Sequence, residues 1–271
     1  MARARVRRAL GSVATLWRHR KYILVGAVRE VRRRYAGSVM GVVWHVLIPL
    51  VQIAVYFVVF SRFMGGRGGS YSPRSYGIYL CAGILPWFAF SDAFTQGANA
   101  LIANENYLKK LPIPEAVFVA QSVATSSLSL GLYLVALWCM ALVMGVGAQA
   151  GWLLLPVVLL LFLGLAFGLA LLLAPLCVFF RDIVQLLTIV MQVWFWVTPV
   201  VYERTSLGPV LMRVVAWNPL AAYLGTIRDL LLGSHWPSAS RWGAMLALGL
   251  LLPAVGLAVL DRLRSDVRDA L

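Results

Sequence analysis

Six long apolar runs divide this chain, at about 40–63, 76–98, 116–144, 152–180, 183–201 and 242–261. A bilayer's hydrocarbon core is about 30 Å thick, so a crossing helix needs roughly 20 predominantly apolar residues. Only a helix or a closed barrel satisfies its own backbone polar groups in lipid, and runs of this length choose the helix. The fourth run would stretch about 43 Å if straight, so it is expected to tilt, or to bend at Pro156 or Pro175. The balance of residue types agrees. The chain is 61% hydrophobic and 13% charged over 271 residues, whereas a soluble domain is about half apolar and a quarter charged. The expected fold class is all-α: a polytopic membrane protein with six transmembrane helices.

The net charge of +14 invites a nucleic-acid reading, but its distribution points elsewhere. Eleven of the 24 Lys and Arg fall in the first 39 residues, beside the first apolar run. That is how positive charge is held on the cytoplasmic side near anionic headgroups. No nucleic-acid partner is expected. With the N-terminus inside, six spans place both termini on one side. Seventeen of the 24 then fall on the inside segments 1–39, 99–115, 181–182 and 262–271. The organisation expected is a cytoplasmic basic segment over 1–39, a six-span domain over 40–261 and a cytoplasmic tail over 262–271. No cleaved signal peptide is evident, and the first run is expected to stay as a signal anchor.

Within 1–39, Trp17, Leu24, Val28, Val31 and Tyr35 lie near one helical face, while Arg29, Arg32, Arg33 and Arg34 cover much of the rest. Such a helix would lie in the headgroup plane. The plain alternative is a solvated basic tail that only enforces topology. Cys81, Cys139 and Cys177 share no ligand spacing and read as buried hydrophobes. The outer stretch 202–241 is too long for a turn. There Asn218 can cap a helix, Pro219 suits its first position and Gly233 can end it. The helix between is too short to span, so short re-entrant helices on the outer side are expected before the last span.

The fifth run, "FFRDIVQLLTIVMQVWFWVTPVVY" (179–202), carries a polar face that lipid cannot satisfy. Gln185, Thr188, Gln192 and Trp196 recur at three- and four-residue steps. In the first span Gln52, Tyr56, Phe60 and Phe63 do the same. Equally telling are the absences. No Gly-rich phosphate loop ending in Lys and Ser or Thr is present, the three His are scattered, and no metal site is proposed. Among the acids only Asp92 sits in the interior of a proposed span, so no paired carboxylates offer acid/base chemistry. The chain therefore lacks an obvious engine of its own.

Six motifs in order now carry a resemblance. "RRRYAGSVMGVVWHVLIPL" (32–50), "GILPWFAFSDAF" (83–94), "NENYLKKLPIPEAVF" (104–118), "VFFRDIVQLL" (178–187), "TPVVY" (198–202) and "WNPL" (217–220) resemble ABC-2-type permeases that export bacterial surface polysaccharides. The likeness covers most of residues 30–232 and is nearest to O-antigen and teichoic-acid permeases, with capsule permeases as a sister group. It implies a half-transporter in the bacterial inner membrane, not an enzyme. Two copies would form the conduit and pair with two copies of a separate ATPase subunit. That partner would bind ATP and magnesium, and this chain would hold no cofactor. The cargo implied is undecaprenyl-linked polysaccharide. One departure is local: Ile113 stands before Pro114, where the family often has an aromatic, and Glu115 stands after it, where a basic residue is usual.

On that resemblance, Gln185, Thr188, Gln192 and Trp196, with Gln52, Tyr56, Phe60 and Phe63, are expected to line a passage for sugar. Aromatic faces stack on sugar C–H surfaces and amides bond hydroxyls; the plain alternative is helix packing. Lys109, Lys110, Pro112, Pro114 and Glu115 are expected to couple to the ATPase. Trp17, Leu24, Arg32, Arg33, Arg34 and Tyr35 would form the interface helix. Asp182 is expected to cap the fifth helix, with Arg181 anchored at headgroups in a structural turn. Asn218, Pro219 and Arg228 are candidates for an outer gate, or for a static plug. Two other function classes stay open. A drug or lipid exporter of the same fold would show fewer of these motifs. A polyprenyl-lipid enzyme would place acidic or metal-binding clusters at the membrane surface.

Overall fold

The computed structural model describes residues 13–34, 36–41, 43–63, 73–143, 145, 147, 149–203, 208–233 and 236–271. Every regular element among them is helical. A helical turn at 13–18 leads into α1 (Arg20–Arg34), whose last turn holds Arg32, Arg33 and Arg34, where cations complement the helix dipole. Then come α2 (Val43–Phe63), α3 (Pro73–Ala103), the short α4 (Glu105–Lys110) and α5 (Glu115–Val143). A 3-10 turn, Ala150–Leu154, opens α6 (Leu155–Phe179), which is followed by α7 (Asp182–Val197). The chain ends with α8 (Pro209–Trp217), α9 (Pro219–Leu232), α10 (Ala239–Arg262) and α11 (Arg264–Ala270).

Four helical stretches among the described residues are long and apolar enough to cross a membrane: Tyr76–Ala103, Glu115–Val143, Ala150–Phe179 and Ala239–Arg262. A fifth is reached if α8 and α9, bent by 92° to each other, count as one broken span. The protein is thus a multi-pass membrane protein, helical in every regular element of its described residues and with four to five candidate spans among them. The fifth apolar run is shorter than expected. It forms a helix of 16 residues, about 24 Å at 1.5 Å per residue, ending at Val197 rather than at 201. The cause is local. Thr198 precedes Pro199, whose ring disfavours the α region for the residue before it, and Thr198 is extended at φ −93, ψ 136.

Pro156 does not bend α6 but starts it, at a position where no N–H is needed. Pro49, Pro86, Pro175 and Pro253 lie inside α2, α3, α6 and α10. Membrane helices tolerate such prolines because neighbours re-satisfy the freed backbone groups. Cys81 and Cys177 are buried, but Cys139 is exposed, contrary to expectation. It sits on α5, whose most apolar window is only 33% buried within the chain, so an apolar environment there must come from outside it.

The core forms around α3, whose apolar window is 83% buried. Phe90 on α3 stacks on Phe162 of α6 at 4.8 Å and meets Trp194 of α7 edge-on at 6.0 Å. Phe162 also touches Tyr223 of α9 at 5.2 Å, and the Tyr223 hydroxyl donates to the Met245 carbonyl of α10 at 2.7 Å. One aromatic cluster therefore joins five helices' worth of packing. The α6–α10 pair is held differently. A Cβ at Gly164 would lie 2.5 Å from the Gly249 carbonyl oxygen, and one at Gly256 would lie 2.9 Å from the Gly168 carbonyl oxygen. Small residues let the two backbones touch, the main route to helix association where no hydrophobic drive exists.

Candidate functional site: a polar-aromatic cavity and a charged end of the bundle

A cavity of about 430 Å³ opens between α3 and α7. Trp87, Phe88, Ser91 and Thr95 line it from α3, and Thr188, Met191, Gln192, Phe195 and Trp196 line it from α7. Both sets follow three- and four-residue steps, so each is one face of its helix. Three of the four expected residues of the fifth run, Thr188, Gln192 and Trp196, thus share one cavity. Gln185 is exposed on the same helix but does not line it. Gln52 is half-buried on α2 and does not line it either. The side chains of Tyr56, Phe60 and Phe63 lie outside the described residues. The facing wall described here is α3, which sequence reasoning missed. Its signal was present: Trp87, Ser91 and Thr95 repeat every four residues inside an apolar run.

The chemistry of the cavity is mixed. Trp196 is 61% exposed, while Trp87 is buried and braces Phe195 edge-on at 5.6 Å. Thr95 donates to the Ser91 carbonyl at 2.7 Å, and Thr188 to the Val184 carbonyl at 3.5 Å. Both hydroxyls keep acceptor capacity for a ligand. Aromatic faces, one amide and several hydroxyls suit weak contacts to a polyhydroxylated chain.

Beside it, Asp92 has the partners that its sequence did not reveal. Arg34 at the end of α1 lies 3.3 Å away, and Ser126 of α5 donates to the carboxylate at 2.6 Å. Ala27 and Val31 of α1 are buried, and Tyr22 meets Phe118 of α5 edge-on at 6.2 Å. Trp17 and Leu24 face away, 70% and 58% exposed. Val28 is exposed with them, so among its described residues the apolar face named from sequence mostly points outward and only Val31 packs inward. Arg32 is exposed and Arg33 pairs with Glu30 at 3.0 Å. Tyr35 lies outside the described residues.

Two connections meet at this end of the bundle. In α4, Lys109 binds Glu105 at 2.6 Å, and Arg181, in the α6–α7 turn, lies 3.9 Å from the same carboxylate. The Lys109 hydrogen bond, then its charge, holds the Glu105 carboxyl below the ordinary range, with Arg181 adding a smaller part. Lys109, Lys110 and Pro112 are exposed, and buried Leu108 pins the helix. Pro114 is half-buried and Glu115 is turned inward. Asp182 does not cap α7. Arg181 occupies the cap position with helical backbone angles and no side-chain hydrogen bond is made there, so Asp182 lies in the first turn, where its charge still favours the dipole.

At the opposite end, α9 begins and stops as its sequence implies. Asn218 accepts from Leu220 N at 3.1 Å, Pro219 follows, and Gly233 closes the helix at φ 68. The Asn218 amide also donates to Thr198 Oγ1 at 2.8 Å, and Trp194 Nε1 donates to its oxygen at 3.3 Å. Arg228 is buried. It donates to the carbonyls of Tyr79 and Pro199 at 3.0 and 2.6 Å and to that of Val200, and lies 3.7 Å over the Tyr79 ring. These contacts tie α3, the turn after α7 and α9 into one block.

A model of the ABC-2 type transporter family matches residues 22–232. The O-antigen export system permease protein RfbA of Myxococcus xanthus is 27% identical over 267 residues, covering 96% of this chain and 98% of that protein. A Klebsiella pneumoniae protein of the same name is 24% identical over 244 residues, 90% of this chain and 92% of its own. The polysialic acid transport protein KpsM of Escherichia coli is 18% identical over 233 residues, 86% and 89% of the two chains.

Proposed function

The chain belongs to the ABC-2 type transporter family, and from that premise we propose that it is the permease subunit of an exporter of undecaprenyl-linked surface polysaccharide, O-antigen or a similar polymer. Two copies form the conduit in the bacterial inner membrane and pair with two copies of an ATPase subunit, which binds ATP and magnesium. α2 and α7 complete a six-span arrangement, with α8 and α9 re-entrant on the outer side and both termini cytoplasmic. The exposed Trp17, Leu24 and Val28 rest in the headgroup layer, where membrane lipid covers them.

The observation that carries this reading is the cavity between α3 and α7. Trp196 and Phe195 offer ring faces, and Gln192, Thr188, Ser91 and Thr95 offer hydrogen-bonding groups, in a membrane helix pair. A drug pocket would be more enclosed and apolar. A sliding glycan needs many replaceable contacts of this kind. The surface for the ATPase is the exposed part of Asn104–Glu115, with Lys109, Lys110 and Pro112 outward. Asn218, Pro219 and Arg228 act as the fixed frame of the outer end rather than as a moving lid, since Arg228 grips three carbonyls at once.

Inverted membrane vesicles test the reading. Vesicles bearing this chain and its ATPase subunit are supplied with undecaprenyl-linked glycan and ATP. Glycan is expected to become protected from an external glycosidase only when ATP is hydrolysed. Protection without ATP, or none with the complete complex, contradicts the proposal.

A further inference from the structure

Glu115 opens α5 at the cytoplasm-facing end proposed above, a position where a carboxylate would ordinarily face water. Instead its side chain is 4% exposed. Its partners come from the far end of the chain. Arg264 Nε lies 3.0 Å from one carboxylate oxygen, and Arg268 Nε donates to the other. Arg268 also donates through Nη2 to the Ile113 carbonyl at 3.3 Å. The two arginines are four residues apart, on one face of α11, and Val267 beside them is fully buried. The same side chain thus grips both the loop backbone between Pro112 and Pro114 and the carboxylate that follows.

We propose that Arg264 and Arg268 are positioning residues for transport: with Glu115 they form a clamp by which the C-terminal helix sets the orientation of the ATPase-facing loop. The inference rests on the reading of residues 104–115 as that loop. Two features make the clamp stiff. A buried carboxylate is costly unless paired, so Glu115 commits the loop to the arginines. Pro112 and Pro114 fix φ on either side of Ile113, so the gripped carbonyl cannot swing freely. α11 follows α10 after a single residue, Leu263, and α10 lies backbone-to-backbone on α6 through Gly249 and Gly256. A push on the loop therefore reaches α5 directly and α10 and α6 through the clamp. The Arg181–Glu105 contact adds a tie to the head of α7, the helix that lines the cavity. Neither arginine is needed to present Lys109 or Lys110, which lie on α4.

The test uses the full chain with its co-expressed ATPase subunit in lipid. For Arg264→Ala with Arg268→Ala, capture of the ATPase subunit is expected within twofold of wild type, while glycan exported per ATP hydrolysed falls at least tenfold. Arg264→Lys with Arg268→Lys keeps both charges and is expected to retain more of that ratio. Export per ATP equal to wild type in the alanine pair overturns the clamp. Hydrogen exchange gives a second readout. In Glu115→Gln, amides of 104–115 and 264–271 are expected to lose protection together, by at least tenfold. Unchanged protection in either segment overturns it as well. Failure of the wild-type chain to capture any ATP-binding subunit would sink the functional reading instead, and exchange would still report on the clamp.

Discussion

Arg34 and Asp92 meet at 3.3 Å although 58 residues separate them, and that contact fastens α1 to the central helix α3. The two side chains are 29% and 30% exposed, so water screens the pair in part. Asp92→Asn retains a partner for Ser126 but loses the ion pair. The expected cost is about 1 kcal/mol, seen as a small drop in thermal midpoint in detergent. Faster hydrogen exchange over residues 20–34 should accompany it. Unchanged exchange there would mean that packing of Ala27 and Val31 suffices alone.

The cavity residues should matter for transport rather than for folding. Gln192→Leu with Trp196→Ala removes an amide and an exposed ring without touching the Phe90 cluster. Export is expected to slow several-fold with folded protein retained, measured by glycan protection and size-exclusion chromatography. Ser91→Ala with Thr95→Ala, on the opposing wall, should act in the same direction. Wild-type rates in both would assign this face to helix packing.

At its glycines the α6–α10 contact has no room for an added side chain. Gly168→Val forces a branched group against Leu252 and Pro253 of α10. Overpacking of this kind costs about 1–3 kcal/mol, so the thermal midpoint should fall. Gly131→Ala on α5, where no atom lies within 4 Å of the added carbon, is the matched control and should change little.

Arg228 braces the end of the bundle opposite α4. Arg228→Met leaves the carbonyls of Tyr79, Pro199 and Val200 without this donor, at roughly 2–4 kcal/mol for the network. Gly83→Ala should phenocopy it, because a Cβ there runs into the Arg228 guanidinium and the Val200 carbonyl. Protease sensitivity of residues 198–203 is the readout, and a rise is expected in both.

Charge reversal at Lys109 and Lys110 should weaken ATPase docking at least tenfold in pull-down. The Glu105–Lys109 pair gives this surface a defined pH response. Its carboxyl is held below the ordinary value, so its stabilisation is full above the unfolded pKa of about 4.3 and is lost as pH falls through the lower folded value. Docking should therefore be level between about pH 6 and 8.

What the sequence disclosed was what depends on near neighbours. Asn218, Pro219 and Gly233 act within a turn of themselves, so the bounds of α9 and its buried face of Leu220, Tyr223, Leu224, Ile227, Leu230 and Leu231 were readable. The end of α7 is legible too, because Thr198 precedes Pro199 and so leaves the helix, although the apolar run continues to 201. The hidden features are long-range. The partners of Glu115 lie 149 and 153 residues away, and no periodicity links them. Which wall faced Gln192 depended on how α3 and α7 pack, and helical spacing alone offered α2 as readily as α3. The exposure of Trp17 and Leu24 shows the same limit. An apolar stripe states that it must be covered, not by what.

The most direct test of the central claim is to purify this chain gently from native membranes and identify its stoichiometric partners by mass spectrometry. The account predicts an ATP-binding subunit in equal amount, with export that requires its hydrolysis. A chain that emerges alone, and acts on a sugar-lipid without ATP, would contradict it and return attention to Asp92.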